Sequence, residues 1–136
     1  MTGTDGNDLM LGKHGADALA GSAGNDILVG GKGDDVLSGD AGNDMLTGNK
    51  GHDTFVFNSG SGQDVVLDFQ KGQDILQIAR NINGLAVEKA ADLTNHVGQD
   101  AHGNAVVDLG QGHTVTLVGV SADDVHHDPN AFFVIH

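Results

Sequence analysis

Aspartate recurs at every ninth residue through the first part of the chain, and this spacing suggests a metal site. The six aspartates are Asp8, Asp17, Asp26, Asp35, Asp44 and Asp53. Neither Cys nor His occupies the same repeated position. Carboxylate oxygens are ligands of hard cations; calcium accepts about six to eight oxygens in flexible geometry, whereas magnesium demands a strict octahedron and keeps its waters. The pattern therefore favours calcium.

Each aspartate belongs to a nine-residue unit, Gly-x-x-Gly-x-Asp-x-apolar-x, which occurs six times between Gly3 and Val56 without a change of phase. Two glycines three residues apart permit a tight turn in which the backbone can approach a neighbour closely. The apolar residues two places after the aspartates are Met10, Leu19, Leu28, Leu37, Leu46 and Phe55. A fixed period that keeps glycine, carboxylate and apolar residue in phase indicates a repeat architecture.

The three residues after each aspartate are predicted to form a short strand whose middle residue points inward, because alternate residues of an extended chain face opposite sides. Such a strand spans only about 10 Å, so one unit cannot bury its apolar residue alone and the units must stack. Two units make one coil of turn, strand, turn and strand, which places unit n above unit n+2. The aspartates then form two like-charged ladders that repel unless a cation lies between them. The sequence predicts an all-β parallel β-roll held together by calcium.

These units resemble the RTX nonapeptide repeat of secreted bacterial proteins, for which calcium binding is an established property. The resemblance implies a right-handed parallel β-roll over residues 3–57, followed by a non-repetitive β-strand cap over residues 58–136. It also implies calcium as the cofactor, with four or more ions.

The ligand scheme of that family, carried over unit by unit, implies four sites. In each site one unit supplies its aspartate and the carbonyls of its second and fourth positions, and the unit eighteen residues later supplies its aspartate and the carbonyls of its first and third positions. The first ion would be bound by Thr4, Gly6, Asp8, Gly21, Ala23 and Asp26. The second would be bound by Lys13, Gly15, Asp17, Gly30, Lys32 and Asp35. The third would be bound by Ser22, Gly24, Asp26, Gly39, Ala41 and Asp44. The fourth would be bound by Gly31, Gly33, Asp35, Gly48, Lys50 and Asp53.

The segment after the repeats contains two strand-like runs, 64–69 and 74–78, separated by a Lys-Gly loop that is typical of a hairpin. Its Gly-Gln-Asp and Asp-Phe layout resembles the segment that follows the repeats in serralysin-type proteins. That resemblance implies a further calcium site using Asp64 and Asp68 beneath the last coil. The alternative is that both are polar residues on the wet face of a strand.

The remaining chain is predicted to form the β cap. Residues 90–97 fit two turns of helix, and the runs 104–109 and 114–118 fit a hairpin with glycines in its loop. Ser121 is placed to cap a short helical turn, and residues 131–136 read as a last strand. The apolar C-terminus also resembles the uncleaved export signal of type I secretion substrates. A strand that simply completes the sheet explains the same residues equally well.

Composition excludes several classes of protein. The net charge is −13, with 19 acidic residues against six Lys and Arg, and Glu88 is the single glutamate. Such a surface has no basic patch large enough for nucleic acid. Cysteine is absent, so neither disulfides nor thiolate metal sites are available. Calcium is therefore expected to cross-link the fold in their place. The first residues show no signal peptide, and no apolar run reaches the length of a transmembrane segment.

No catalytic pattern is present. His-Glu-x-x-His is absent, which rules out the zinc protease domain of serralysins. Neither Gly-Lys pair is followed by Ser or Thr, so neither is a phosphate-binding loop. The pair His126 and His127 with Asp128 could bind a transition metal, but solvated loop histidines are the simpler interpretation. The sequence predicts a protein that is not an enzyme.

The resulting hypothesis is a calcium-dependent folding module of a larger, secreted bacterial protein, exported without an N-terminal signal peptide. Its expected partners are calcium, the rest of the parent protein and the type I secretion machinery. The main alternative is a calcium-dependent module that binds carbohydrate or a cell surface, as in adhesins. The absence of Trp and Tyr counts against it, because sugar sites usually present exposed aromatic rings. A third reading is a supporting piece of a larger enzyme.

Overall fold

Twelve β-strands in two sheets form most of the molecule, and the structure, a computed structural model, describes residues 1–136. The first sheet has the strand order β1 (Leu9–Leu11), β3 (Ile27–Lys32), β5 (Met45–Lys50), β7 (Gln63–Val66), β11 (His113–Leu117), β10 (Ala105–Gly110) and β9 (Val97–Gln99). The second sheet has the order β2 (Ala18–Ala20), β4 (Val36–Ser38), β6 (Thr54–Phe57), β8 (Ile75–Ile78) and β12 (Phe133–Ile135).

Successive repeat units enter opposite sheets, which confirms the predicted stacking of unit n on unit n+2. Strands β1, β3 and β5 pair in parallel, as do β2, β4 and β6. The register places each residue opposite the one eighteen positions later, for example Leu28 opposite Leu46. Because each coil uses two units, the chain forms the predicted parallel β-roll.

The core is a pair of apolar columns that run across the strands, one column per sheet. The first consists of Met10, Leu28, Leu46, Val66 and Leu117, and the second consists of Leu19, Leu37, Phe55, Leu76 and Phe133. All ten side chains are buried. Each unit buries one residue against the neighbouring coils, which explains why a single apolar position per unit is sufficient to form a core.

The predicted hairpin over residues 64–78 is wrong. Strand β7 pairs in parallel with β5 and β11 in the first sheet, whereas β8 pairs in parallel with β6 and β12 in the second. The Lys71-Gly72 turn therefore carries the chain from one sheet to the other instead of reversing it within one sheet. The roll thus continues for one more coil than the regular repeats indicate.

The last part of the chain closes the end of the roll. Strands β10 and β11 form the predicted antiparallel hairpin, and β9 adds an edge strand. The segment Ala90–His96 is helical as predicted, in 3₁₀ geometry, and two further 3₁₀ turns span Ile82–Gly84 and Pro129–Ala131. Helix α1 (Ala122–His127) is capped by Ser121, whose side chain accepts the N–H of Asp124. The predicted last strand is present as β12.

Both sheets continue without a break across residue 58, since β7 and β8 pair directly with β5 and β6. The division into a roll at 3–57 and a cap at 58–136 remains a prediction about folding units, while the hydrogen-bonded sheets extend through it. None of the helices combines the length and the apolar character that crossing a membrane requires.

Candidate metal centres

The aspartates of the odd-numbered units form one ladder along an edge of the roll. The backbone N–H of Asp8 donates to Asp26 Oδ1 at 2.8 Å, and that of Asp26 donates to Asp44 Oδ1 at 2.8 Å. The N–H of Asp44 continues the series to Asp64 Oδ1 at 2.9 Å. One carboxylate oxygen of each accepting aspartate is thereby fixed against the neighbouring coil.

The even-numbered units form the second ladder in the same way. The N–H of Asp17 donates to Asp35 Oδ1 at 2.9 Å, and the N–H of Asp35 donates to Asp53 Oδ1 at 3.0 Å. The N–H of Asp53 donates to Asp74 Oδ1 at 3.0 Å. The structure therefore brings the six predicted aspartates together in the two predicted ladders and adds one carboxylate to each.

The second carboxylate oxygen of each ladder aspartate is the candidate cation ligand. The Oδ2 atoms that are buried and have no hydrogen-bond partner belong to Asp17, Asp26, Asp35, Asp44 and Asp53. A buried carboxylate oxygen without a partner is costly, because it has lost its water and gained nothing in exchange. Each pair of successive aspartates in a ladder includes at least one such oxygen. These atoms fit a calcium ion between the coils.

Burial raises the pKa of five of the ladder carboxyls, and neighbouring carboxylates add to the effect. The pKa of Asp44 rises to about 6, that of Asp53 to about 7 and that of Asp64 to about 8, with loss of solvent as the largest cause in each case. The same cause raises the pKa of Asp35 and Asp74. Ionisation of these carboxyls is therefore unfavourable unless a positive charge lies nearby.

The two glycines of each unit have separate steric roles. A Cβ on Gly30 would lie 2.5 Å from Asp35 Oδ2, so the first glycine leaves room for the carboxylate of its own unit. A Cβ on Gly24 would lie 2.5 Å from the carbonyl oxygen of Gly6, and Gly24 has a φ of 101°. The second glycine therefore allows its turn to lie close to the backbone carbonyl of the neighbouring coil.

The backbone ligands implied by the family scheme lie in these stacked turns, but the two edges differ. Strands β3 and β5 extend into the turns of units four and six. There the Lys13 carbonyl accepts the N–H of Lys32 at 2.7 Å, and the Lys50 carbonyl accepts the N–H of Gly33 at 3.1 Å. Nowhere do three or more His, Asp or Glu side chains converge. Each gap offers two carboxylates, so backbone carbonyls must supply most of the remaining ligands.

Asp64 and Asp68 do not form one site, contrary to the expectation from sequence. Asp64 extends the first ladder, whereas Asp68 accepts the N–H groups of Gly48 at 3.0 Å and Asn49 at 2.7 Å in a turn of the other edge. The reason is that Asp64 lies near the start of strand β7, whereas Asp68 lies two residues beyond its end. Asp64 is buried, so the alternative that places it on the wet face of a strand is also wrong.

Asp74 is the ladder residue that the sequence reasoning missed. It is buried at the end of the second ladder, and its Oδ2 accepts the N–H of Gln70 at 2.9 Å. Gly72, Asp74 and Leu76 repeat the second half of the nine-residue unit, and this was the available signal. The spacing from Asp53 to Asp74 is 21 residues instead of 18, so the insertion hides the unit from a search at fixed period.

The histidine pair near the C-terminus is engaged with the backbone. His126 Nε2 lies 3.1 Å from the Val97 carbonyl, and His127 Nδ1 lies 3.2 Å from the Asp123 carbonyl. The two rings thus have separate partners on β9 and α1. This arrangement favours the interpretation as ordinary loop and helix histidines.

The raised pKa values predict that acid stabilises the calcium-free fold. An acid whose pKa is raised by folding binds more protons in the folded chain, so stability is lost as pH rises from about 4 through the folded values of about 6 to 8. In the presence of a chelator, we expect more residual β structure at pH 5.5 than at pH 8. Calcium binding needs ionised carboxylates, so its apparent affinity should be lower at pH 5.5. Far-ultraviolet circular dichroism of the chelated chain at both pH values checks this, and equal or less β structure at pH 5.5 would contradict it.

Comparison with known proteins agrees with this geometry. The sequence profile of the RTX calcium-binding nonapeptide repeat matches residues 2–37, 20–55 and 29–66. The AlgE6R3 subunit of the Azotobacter vinelandii mannuronan C5-epimerase has a similar solution structure, with a TM-score of 0.70 and 31% identity over 97% of this chain and 80% of that one. The crystal structure of the extracellular lipase LipA from Serratia marcescens is also similar, with a TM-score of 0.66 and 26% identity.

The match to LipA covers 97% of this chain but 20% of the lipase. No curated protein sequence matches the chain. The profile match, the identity to AlgE6R3 over most of both chains and the two carboxylate ladders lead to one conclusion. The chain belongs to the family of RTX calcium-binding nonapeptide repeat proteins and folds as its parallel β-roll.

Proposed function

We propose that this chain is a folding module that becomes ordered when it binds calcium outside the cell and supports the folding and secretion of a larger bacterial protein. The observation that carries the proposal is the row of buried Oδ2 atoms without partners in both ladders. Six of the seven buried polar or charged residues are ladder aspartates. The fold therefore concentrates its unfavourable charge in the places that calcium would occupy.

The calcium-free fold must bear a large electrostatic cost. Its ladder carboxylates are stacked in register and are mostly buried, and no cationic side chain lies within ion-pair distance of any of them. The single ion pair is Lys71 with Asp128 at 4.0 Å, on the surface. Because calcium supplies positive charge and ligand sites at once, its binding free energy becomes folding free energy. A chain of this kind is disordered where calcium is scarce and folds where calcium is abundant.

The ladders support more than the four sites implied by the family scheme. Four aspartates in each ladder leave three gaps, so we propose up to six ions. The two additional gaps lie between Asp44 and Asp64 and between Asp53 and Asp74. The aspartates that then each serve two ions are Asp26, Asp35, Asp44 and Asp53, which makes binding in one gap favour binding in the next.

Calcium concentration gives the proposed switch its direction. Extracellular calcium-binding modules bind with dissociation constants of about 10⁻⁴–10⁻³ M, which fits a site that is empty inside a cell and filled outside. An unfolded chain suits export through a narrow channel, and folding outside hinders its return. We further propose that this module has no catalytic role of its own, in the parent protein or alone.

The test is a calcium titration followed by far-ultraviolet circular dichroism, with magnesium as the control cation. We expect a cooperative transition from coil to β structure between submillimolar and millimolar calcium, and none with magnesium because magnesium keeps its waters. Resistance to protease should appear over the same range. Full β structure and protease resistance in the presence of a chelator would overturn the proposal.

Carbohydrate binding is the second candidate, and one observation favours it: the similar AlgE6R3 chain is a subunit of an enzyme named for mannuronan. Aromatic platforms cannot carry such binding here, because all five phenylalanines are buried. Any sugar site on this chain must therefore rely on charge and hydrogen bonds.

A further inference from the structure

One edge of the roll carries a row of basic side chains, which we call the basic edge: Lys13, His14, Lys32 and Lys50. His14, Lys32 and Lys50 occupy the third position of the even-numbered units, where the odd-numbered units have Asp5, Ala23 and Ala41. The structure aligns His14 with Lys32 and Lys32 with Lys50 on adjacent coils. Half of the six Lys and Arg residues thus lie on one edge of a protein with net charge −13.

The lysines of the basic edge have no carboxylate partner. The protein contains 19 acidic residues, yet its single ion pair, between Lys71 and Asp128, lies elsewhere. Like charges directly opposite each other on paired strands destabilise a sheet. A row of unpaired lysines in an acidic protein therefore favours the binding of an anion that spans several coils.

The basic edge lines an open cleft of about 490 Å³ that contains no hydrophobic side chain. Asn49 and Gln70 lie in the same cleft and add amide groups that can bond to hydroxyls. The one carboxylate in the cleft, that of Asp68, accepts two backbone N–H groups at 3.0 and 2.7 Å. The cleft thus presents cations in a row, with neutral polar groups beside them.

We propose that the basic edge binds a linear acidic polysaccharide, with its carboxylates laid along the row of His14, Lys32 and Lys50. Adjacent strands are about 4.8 Å apart, which is close to the length that one sugar residue adds to an extended polysaccharide. Consecutive uronic acid residues can therefore place one carboxylate against each coil. The inference rests on the calcium-dependent fold proposed above and assigns a ligand class and a location to the second candidate function.

Other polyanions fit this cleft less well. Single-stranded nucleic acid is bound through aromatic side chains that stack on its bases, and every phenylalanine of this protein is buried. A membrane surface requires apolar side chains that enter the lipid, and the cleft has none. The polar lining and the regular spacing match a hydrated, evenly charged chain.

Calcium should control this binding because the second ladder lies on the same edge. The carboxylates of Asp17, Asp35 and Asp53 belong to the turns that carry the basic edge, and their charge opposes an approaching anion when no cation is bound. Cations in the gaps would reverse the local field. Salt should weaken the complex, since the contacts are exposed ion pairs.

The test uses isothermal titration calorimetry and NMR shift mapping of the full chain with a six-residue oligomannuronate at saturating calcium. The variant Lys32→Gln/Lys50→Gln should bind at least about tenfold more weakly, equivalent to about 1.4 kcal/mol. The matched control, Arg80→Gln/Lys89→Gln, removes the same charge from positions outside the cleft and should bind as the unaltered chain does. In the unaltered chain, the shifts should centre on Lys13, His14, Lys32, Lys50 and Gln70.

Several outcomes would overturn the proposal. These are no binding to a chain that is folded by circular dichroism, shifts centred elsewhere, equal losses in both variants, equal affinity for a neutral hexasaccharide, or tighter binding of a single-stranded DNA of matched charge. Equal affinity for free acetate would overturn it as well, by showing a simple anion site. Circular dichroism of the same samples distinguishes a chain that fails to fold in calcium from a folded chain that fails to bind. The shift map is measured on the unaltered chain, so it does not depend on the folding of any variant.

Discussion

Replacing Asp35 with asparagine is expected to raise the calcium concentration at the midpoint of folding by at least about tenfold, or about 1.4 kcal/mol. Asp35 is buried in the middle of the second ladder, where its carboxylate accepts the N–H of Asp17 and its own N–H donates to Asp53, so it borders a gap on each side. Calcium affinity depends on the number of charged ligands, so one substitution weakens two sites. A calcium titration followed by circular dichroism measures the shift.

The same substitution should act in the opposite sense without calcium. The asparagine side chain keeps an Oδ1 that can accept the N–H of Asp17, the contact that is 2.9 Å long in the unaltered protein. The substitution removes a charge whose burial raises the pKa of Asp35 and which faces the like charge of Asp17. The calcium-free fold should therefore be less unfavourable in Asp35→Asn, and circular dichroism in the presence of a chelator should show more residual β structure than in the unaltered chain.

Asp5→Asn is the matched control, because Asp5 is an exposed aspartate in the first turn and belongs to neither ladder. It should leave both the calcium midpoint and the residual β structure in chelator close to those of the unaltered chain. If Asp35→Asn and Asp5→Asn shift the midpoint equally, the ladder carboxylates are not the ligands. If Asp35→Asn destabilises the chelated chain, the buried charge is not the origin of the calcium requirement.

The regular part of the fold could be predicted from sequence because one period carries three independent signals. Glycine, aspartate and a large apolar residue keep the same phase from Gly3 to Phe55, and a three-residue strand can bury its apolar residue only by stacking. The column of Leu19, Leu37 and Phe55 and the two aspartate ladders follow from that requirement. The placement of odd-numbered and even-numbered units on opposite edges could be predicted as well, since two units complete one coil.

The continuation of the roll could not be predicted because its local signals are ambiguous. A Lys71-Gly72 turn between two apolar runs is equally typical of a hairpin and of the turn that links the two sheets of a coil. The choice depends on partners far along the chain: β5 and β11 for β7, and β6 and β12 for β8. The insertions that make the spacing 20 residues to Asp64 and 21 to Asp74 also conceal the unit.

Replacing Phe132 with alanine is expected to lower the free energy of unfolding in saturating calcium by about 3–5 kcal/mol, as for other buried phenylalanines. Phe132 is buried, and its ring stacks on that of Phe69 with centroids 5.4 Å apart. The ring centroid of Phe69 lies 6.4 Å from that of Phe55, which belongs to the apolar column of the roll. The substitution opens a cavity where the C-terminal segment joins the last coil, and it should also raise the calcium midpoint.

Val134→Ala is the control on the same final segment, because Val134 is 47% exposed and its truncation should cost less than about 0.5 kcal/mol. Urea unfolding followed by circular dichroism and by protease sensitivity on either side of residue 58 measures both variants. A single transition that moves as a whole in Phe132→Ala would show that the roll and the C-terminal segment fold as one unit. Two transitions, with only the C-terminal one shifted, would instead support separate folding units at 3–57 and 58–136. The strand pairs and the ring contact across that boundary favour the single transition, because the strands of the C-terminal segment continue both sheets of the roll.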